Sequence, residues 1–207
     1  MNVRWWVLVL TVLTLASGPA LSDERDDEDT EGNIGKLLSE ARIPVEEALE
    51  AALATQPGRA VEVELEGEMV DGRLDGTYSV EIVDGSGAFH QVTVDAVSGE
   101  VRSREIEDDE GDAKEQRSVV RALAQASHDL PACLRAVAAE KRGAVLSAAI
   151  AYDDGVPRCE AIAVDGERLY EVEIDLRDGS LIEVERARRL EDGDDDRDDD
   201  EEGDEGE

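Results

Sequence analysis

From Val45 to Leu53 apolar residues recur at three- and four-residue intervals (Val45, Ala48, Leu49, Ala52, Leu53), while Glu46, Glu47 and Glu50 take the remaining face. That spacing predicts an amphipathic helix. Pro44 suits its first turn and Pro57-Gly58 stops it. The period then changes to two. Val61, Val63 and Leu65 alternate with Glu62, Glu64 and Glu66, as in a strand with one buried and one wet face. After Asp71-Gly72 and Asp75-Gly76, Tyr78, Val80 and Ile82 alternate with Ser79 and Glu81. Asp84-Gly85-Ser86-Gly87 turns the chain into a strand from Phe89 to Asp95, and Ser98-Gly99 turns it into another from Val101 to Ile106. The expected unit is a helix covering four short antiparallel strands.

The same order returns about 80 residues later, so the chain reads as a repeat. Val80-Glu81-Ile82-Val83-Asp84-Gly85 resembles Ala161-Ile162-Ala163-Val164-Asp165-Gly166, and Val92 to Gly99 resembles Val172 to Gly179. Ile43-Pro44-Val45 and Leu130-Pro131-Ala132 each open a helical stretch. Each is preceded by another apolar-periodic stretch: Ile34, Leu37, Leu38 and Ala41 in one copy, Val119, Val120, Leu123 and Ala126 in the other. In the second copy the pattern predicts a helix from Pro131 to Arg142, ended by Gly143. Strands are expected near Val145–Tyr152, Arg158–Val164, Leu169–Asp175 and Ser180–Glu185. The fold class is α+β, with two tandem repeats, each placing helical segments on its own four-stranded antiparallel sheet.

These residues carry a family resemblance. The Ile-Pro-Val-Glu-Glu-Ala-Leu helix from Ile43, the Pro-Gly stop, the alternating strands and the block from Val92 to Val101 resemble a PepSY domain over about residues 43–106. Residues 130–186 resemble it more loosely: the helix lacks the Glu-Glu-Ala opening, and Asp-Leu-Arg-Asp-Gly stands in place of Asp-Ala-Val-Ser-Gly. The resemblance implies a module that binds or restrains peptidases, as in propeptides of thermolysin-type metallopeptidases and exported regulators of envelope enzymes. The tandem arrangement is also similar in architecture to the β-lactamase inhibitor protein. Both likenesses imply binding, although fold-level likeness alone does not fix function.

The ends of the chain bear on its location. Arg4, an apolar stretch from Trp5 to Ala16, Gly18-Pro19 and Ala20-Leu21-Ser22 follow the order of a secretory signal peptide, with cleavage expected after Ser22. The apolar stretch is shorter than the roughly 20 residues of a membrane-spanning helix. An uncleaved anchor, with Trp5 and Trp6 at the membrane interface, stays open. No transmembrane span is expected in the mature chain. The organisation is thus signal peptide 1–22, acidic disordered segment 23–33, PepSY-like repeat 34–106, acidic linker 107–116, divergent PepSY-like repeat 117–190 and acidic disordered tail 191–207. The expected location is periplasmic or secreted.

The formal charge is −33, and three segments at 23–31, 105–115 and 191–207 carry −24 of it. An anionic surface of this kind is repelled by nucleic acid backbones, so nucleic-acid binding is excluded and basic protein or peptide partners are favoured. Adaptation to a salty host accounts for the same acidity and stays open beside that reading.

Catalytic chemistry finds little to work with. His90 and His128 are the only histidines and stand in different repeats, so neither a zinc-peptidase helix nor a His-activated nucleophile is indicated. Asp27, Asp29 and Glu31-Gly32 begin like a calcium-binding loop, but Leu38 occupies the place of the required bidentate Glu. Asp198 and Asp200 begin a similar run near the chain end. No metal or cofactor site and no enzyme activity are expected, although the acidic tails would associate weakly with divalent cations.

Cys133 and Cys159 are the only cysteines. Repeat alignment puts Cys159 where the first copy has Tyr78, facing the helix that holds Cys133 in its first turn, so a disulfide joining helix to sheet is expected in an oxidising compartment. Two buried thiols are the alternative. Glu62, Glu64, Glu66 and Glu81, on the outward face of their strands, form a candidate surface for a basic partner; an ordinary solvated sheet face is the competing reading. The sequence therefore points to an exported, non-catalytic binding module that inhibits or regulates an envelope or secreted peptidase. The alternative is an acidic, cation-buffering or metal-responsive envelope protein.

Overall fold

A computed structural model describes residues 35–70, 72–106, 113–140, 142–166 and 168–189. The signal peptide, the acidic segment at 23–33, the tail at 191–207 and both calcium-like runs fall outside the described residues, as does the linker up to residue 112. Helical backbone over 35–40 (α1) leads into α2 (Val45–Thr55), followed by strands β1 (Arg59–Val70), β2 (Arg73–Val83), β3 (Phe89–Asp95) and β4 (Val101–Ile106). Helices α3 (Ala113–Gln125) and α4 (Leu130–Ala139) come next. Strands β5 (Ala144–Asp153), β6 (Val156–Asp165), β7 (Arg168–Asp175) and β8 (Leu181–Arg189) complete the order. Helix α3 starts inside the stretch expected to be linker, because Val119, Ala122 and Leu123 give it a buried side.

The two expected four-stranded sheets are one. A single eight-stranded sheet runs in the order β4-β3-β2-β1-β5-β6-β7-β8, every pair antiparallel. The join is β1 with β5, through Glu62↔Ala149, Val63↔Ala148 and Glu64↔Ser147. Its physical reason is the edge: β1 and β5 would otherwise each present unpaired N–H and C=O groups at the middle of the molecule.

Period-two alternation decides what faces the helices. Val63, Val80, Ile82, Val92 and Val94 are fully or almost fully buried and form one core with Val45, Ala48, Leu49 and Ala52 of α2. On the other half Ala148, Ala161, Ala163, Val172 and Ile174 meet Leu130, Cys133, Leu134 and Val137 of α4. Each fully buried Leu or Val contributes about 2 kcal/mol relative to exposure. Helix α4 starts on Asp129, whose carboxylate accepts from the Ala132 amide at 2.9 Å, with Pro131 in the first turn. It ends at Ala139, three residues before the expected Arg142, because Glu140 caps it and Gly143 turns at φ 92°.

Two close fits explain local sequence. A Cβ on Gly67 would stand 2.9 Å from a methyl of Leu37, and one on Gly76 3.1 Å from it, so these glycines let α1 lie on the β1–β2 hairpin. Gly99 and Gly179 take φ 75° and 76°, the left-handed conformation that closes the turns after β3 and β7. In both turns the glycine N–H donates to the carbonyl of an Asp, Asp95 in one and Asp175 in the other. The residue after each Asp ties down the preceding helix break. The Ala96 carbonyl accepts from the amides of Arg42 and Ile43, and the Leu176 carbonyl from those of Ser127 and His128.

Candidate functional site

The helices occupy one side of the sheet, and no described element covers the other. Strand register places the four glutamates expected to face outward on this open side, and the continuous sheet brings further carboxylates beside them. One transverse row runs Glu105, Gln91, Glu81, Glu62, Ala149, Glu160, Glu173 and Glu183, one residue from each strand. Neighbours in such a row lie about 4.8 Å apart along the hydrogen-bonding direction. A parallel row includes Thr93, Ser79, Glu64, Ser147, Ile162 and Glu171. Glu62, Glu64 and Glu81 are half-buried and Glu66 is exposed.

Two arginines interrupt the negative surface. Arg102 binds Asp75 and Asp95 together, reaching Asp75 Oδ1 at 2.7 Å, and its guanidinium holds both carboxyls below their ordinary range. Arg158 is buried and bridges Glu173 at 2.6 Å and Asp153 at 3.4 Å. Both cations are thus already engaged. Between them burial raises the pKa of Glu64, helped by repulsion from Glu66. The centre of the open face is therefore electrostatically costly in the isolated chain.

The cysteines meet as expected. Cys133 and Cys159 form a disulfide with a Cα–Cα distance of 6.3 Å, joining α4 to β6 in the core. Tyr78 fills the corresponding place in the other half. It is buried, its hydroxyl donates to the Ile43 carbonyl at 3.1 Å, and burial followed by the charge of Glu46 pushes its pKa up to about 12.

The histidines take separate structural parts. His90 Nε2 contacts Asp84 Oδ2 at 2.8 Å, while Asp84 Oδ1 accepts from the Ser86 amide and hydroxyl and the Ala88 amide. The Ser86 hydroxyl thus points at the aspartate and not at the imidazole, which closes a turn and activates no nucleophile. His128 lies over Gly179 with Nδ1 3.4 Å from the Leu176 carbonyl. Among the described residues, no group of three or more His, Cys, Asp or Glu side chains is placed to hold a metal ion, and no helix is long and apolar enough to cross a membrane.

Comparison with known proteins bears on the first half of this arrangement. Residues 42–105, from the break before α2 to β4, match the family model described as PepSY, "Peptidase propeptide and YPEB domain". This segment is similar to a PepSY domain. No curated protein matches the chain. A solved structure from Clostridium difficile 630, titled there as that of a candidate lipoprotein, aligns over 73% of this chain and 97% of its own at 17% identity. Its TM-score of 0.42 makes that likeness too remote to carry an argument. The matched segment supplies strands β1 to β4, and with them Glu62, Glu64, Glu66 and Glu81.

Sequence reasoning missed the carboxylates of β6 to β8 as members of the same surface. The alternation of Glu171 and Glu173 with Val172 and Ile174 puts them on the face away from the helices, where Glu171 is half-buried and Glu173 is buried against Arg158, but only the β1–β5 join makes that face continuous with the first. Arg158 was missed because a basic residue beside Cys159 has no sequence mark of burial.

Proposed function

We propose that this chain is an exported, non-catalytic binding protein that restrains or regulates a peptidase of the cell envelope or its surroundings, with the open sheet face as its recognition surface. The supporting observation is the PepSY domain, of the peptidase-propeptide family, whose exposed sheet side carries Glu62, Glu64, Glu66 and Glu81. A partner presenting Lys or Arg would offset the repulsion from Glu66 that helps to raise the pKa of Glu64. It would also gain from the long-range field of a chain with formal charge −33. In this reading the second half is a diverged copy of the PepSY module. Supporting the copy are the matched Asp-to-Gly turns, the matched carbonyl ties at Ala96 and Leu176, and the shared place of Tyr78 and Cys159. The copy extends the surface; it does not add a second site.

The test is inhibition. The purified full chain is mixed with a thermolysin-type metallopeptidase and with the peptidases secreted by its own host, and residual activity is followed at low and moderate salt. The proposal expects inhibition or stable complex formation with at least one of them, weakening as salt rises. No complex and no inhibition at low salt would reject it.

A further inference from the structure

The hairpin of β1 and β2 is longer than its counterpart in the other half. Val63 and its partner Val80 lie 17 positions apart, whereas Ala148 and Ala161, at the matching places of β5 and β6, lie 13 apart. Two more residues in each strand carry the first hairpin about 7 Å further. Its last part is a two-stranded arm: residues 66–70 lie beyond the ladder to β5, and residues 73–76 lie before the ladder to β3.

A two-stranded ribbon is marginal in water by itself. This one is braced at its base on both faces. On the helix side Leu37 of α1 fits against Gly67 and Gly76, where added Cβ atoms would stand 2.9 and 3.1 Å from it. On the open side Arg102 holds Asp75 of the arm to Asp95 of β3. Beyond these braces stand Met69 and Val70, 53% and 44% exposed. The second hairpin ends differently. Its turn is made of Asp153, Asp154 and Gly155, and Tyr152 just before them is engaged by α3, with Gln125 donating to its hydroxyl at 2.7 Å and Arg121 over its ring.

An apolar pair held out on a braced arm buries nothing in the isolated chain and gains from a pocket in a partner. Alternation places Val70 on the open face in line with Glu64, Glu66 and Glu68, so a partner lying on that face meets carboxylates first and the apolar tip next. We propose that the β1–β2 arm is an insertion element: Met69 and Val70 enter an apolar pocket with a basic rim on the peptidase that the open face recognises. This rests on the function proposed above and adds to it the part that supplies apolar contact. The carboxylates attract basic partners in general, and the tip selects among them.

Residual peptidase activity, titrated with the full oxidised chain and its variants at low and moderate salt, tests the arm. Met69→Gln with Val70→Thr nearly keeps the size of both side chains and makes them polar. It should weaken inhibition roughly tenfold or more while leaving the salt dependence that of the parent. Removing residues 69, 70, 73 and 74 keeps Asp71-Gly72 as the turn, now between Glu68 and Asp75, and gives the arm the length of the second hairpin. It should weaken inhibition at least as much. Leu181→Thr with Ile182→Thr, a pair 43% and 42% exposed on β8, should leave inhibition as in the parent. Parent-like inhibition by either arm variant, or equal loss in the β8 pair, would overturn the insertion arm and leave the recognition face standing. No inhibition of any peptidase by the parent would reject that face and the arm with it.

Discussion

The inner strands of the two halves differ in bulk at matching places. Under α2 they carry Val63, Val80 and Ile82, and the helix buries the small Ala48 and Ala52 beside Val45 and Leu49. Under α4 they carry Ala148, Ala161 and Ala163, with Val172 and Ile174 on the next strand, and the helix buries Leu130, Leu134 and Val137. Packing density is a property of the pair of surfaces, so volume lost from one can be returned by the other. The tie between helix and sheet also differs: a Tyr78 hydrogen bond to the Ile43 carbonyl in one half, the Cys133–Cys159 disulfide in the other. Alanine at three places on the inner strands loses hydrophobic burial there, and a covalent clip is one way to offset that loss.

Exchanging the bulk should break this comparison most strongly. Ile82→Ala leaves a cavity beneath the small alanines of α2 and should cost about 3 to 4 kcal/mol in urea unfolding, and Leu134→Ala should cost a similar amount from the helix side of the other half. Equal, small losses from both would show that the bulk is not partitioned as described. Replacing both cysteines with alanine opens a loop with a sequence separation of 26 and should cost about 3 kcal/mol. Hydrogen exchange should then rise first in α4 and β6, leaving α2 and β2 protected. Tyr78→Phe, the matching change in the first half, removes one hydrogen bond and should cost about 1 kcal/mol, well below the disulfide.

The smallest expected effect has the opposite sign. Folding raises the Glu64 pKa from 4.5, so the folded chain holds that proton more firmly than the unfolded one. Ionised Glu64 therefore works against folding above both values, and the handicap fades as the pH falls toward 4.5. Glu64→Gln should raise stability by about 0.5 kcal/mol at neutral pH and by less in acid. Asp75, Asp95 and Asp175 behave the other way. Arginine partners lower their pKa values from 3.8, so their contribution is present above that pH and is lost as the pH falls below it.

Much of the architecture was legible because local rules and tertiary structure agree. Three- and four-residue spacing marked α2, alternation marked β1 to β3, and Asp-Gly turns marked where strands end. Alignment of Tyr78 with Cys159 even located the disulfide, since both residues lie on the helix-facing side of their strands. The merger of the two sheets was not legible. It rests on three residue pairs around Val63 and Ala148, and nothing in either strand alone distinguishes an edge from an interior position. The candidate surface was half visible for the same reason. Glu62, Glu64, Glu66 and Glu81 follow from alternation, whereas their row-mates on β6 to β8 follow only from the join.

The central claim is that recognition uses the open carboxylate face. Its most direct test compares the parent chain with one carrying Glu62→Gln, Glu64→Gln, Glu66→Gln and Glu81→Gln, by titrating each against the peptidase that the parent inhibits, at low salt. The account predicts at least tenfold weaker inhibition by the variant, a shift equivalent to about 1.4 kcal/mol, together with a shallower salt dependence and an intact fold. Inhibition of equal strength and equal salt dependence in the two chains would contradict it.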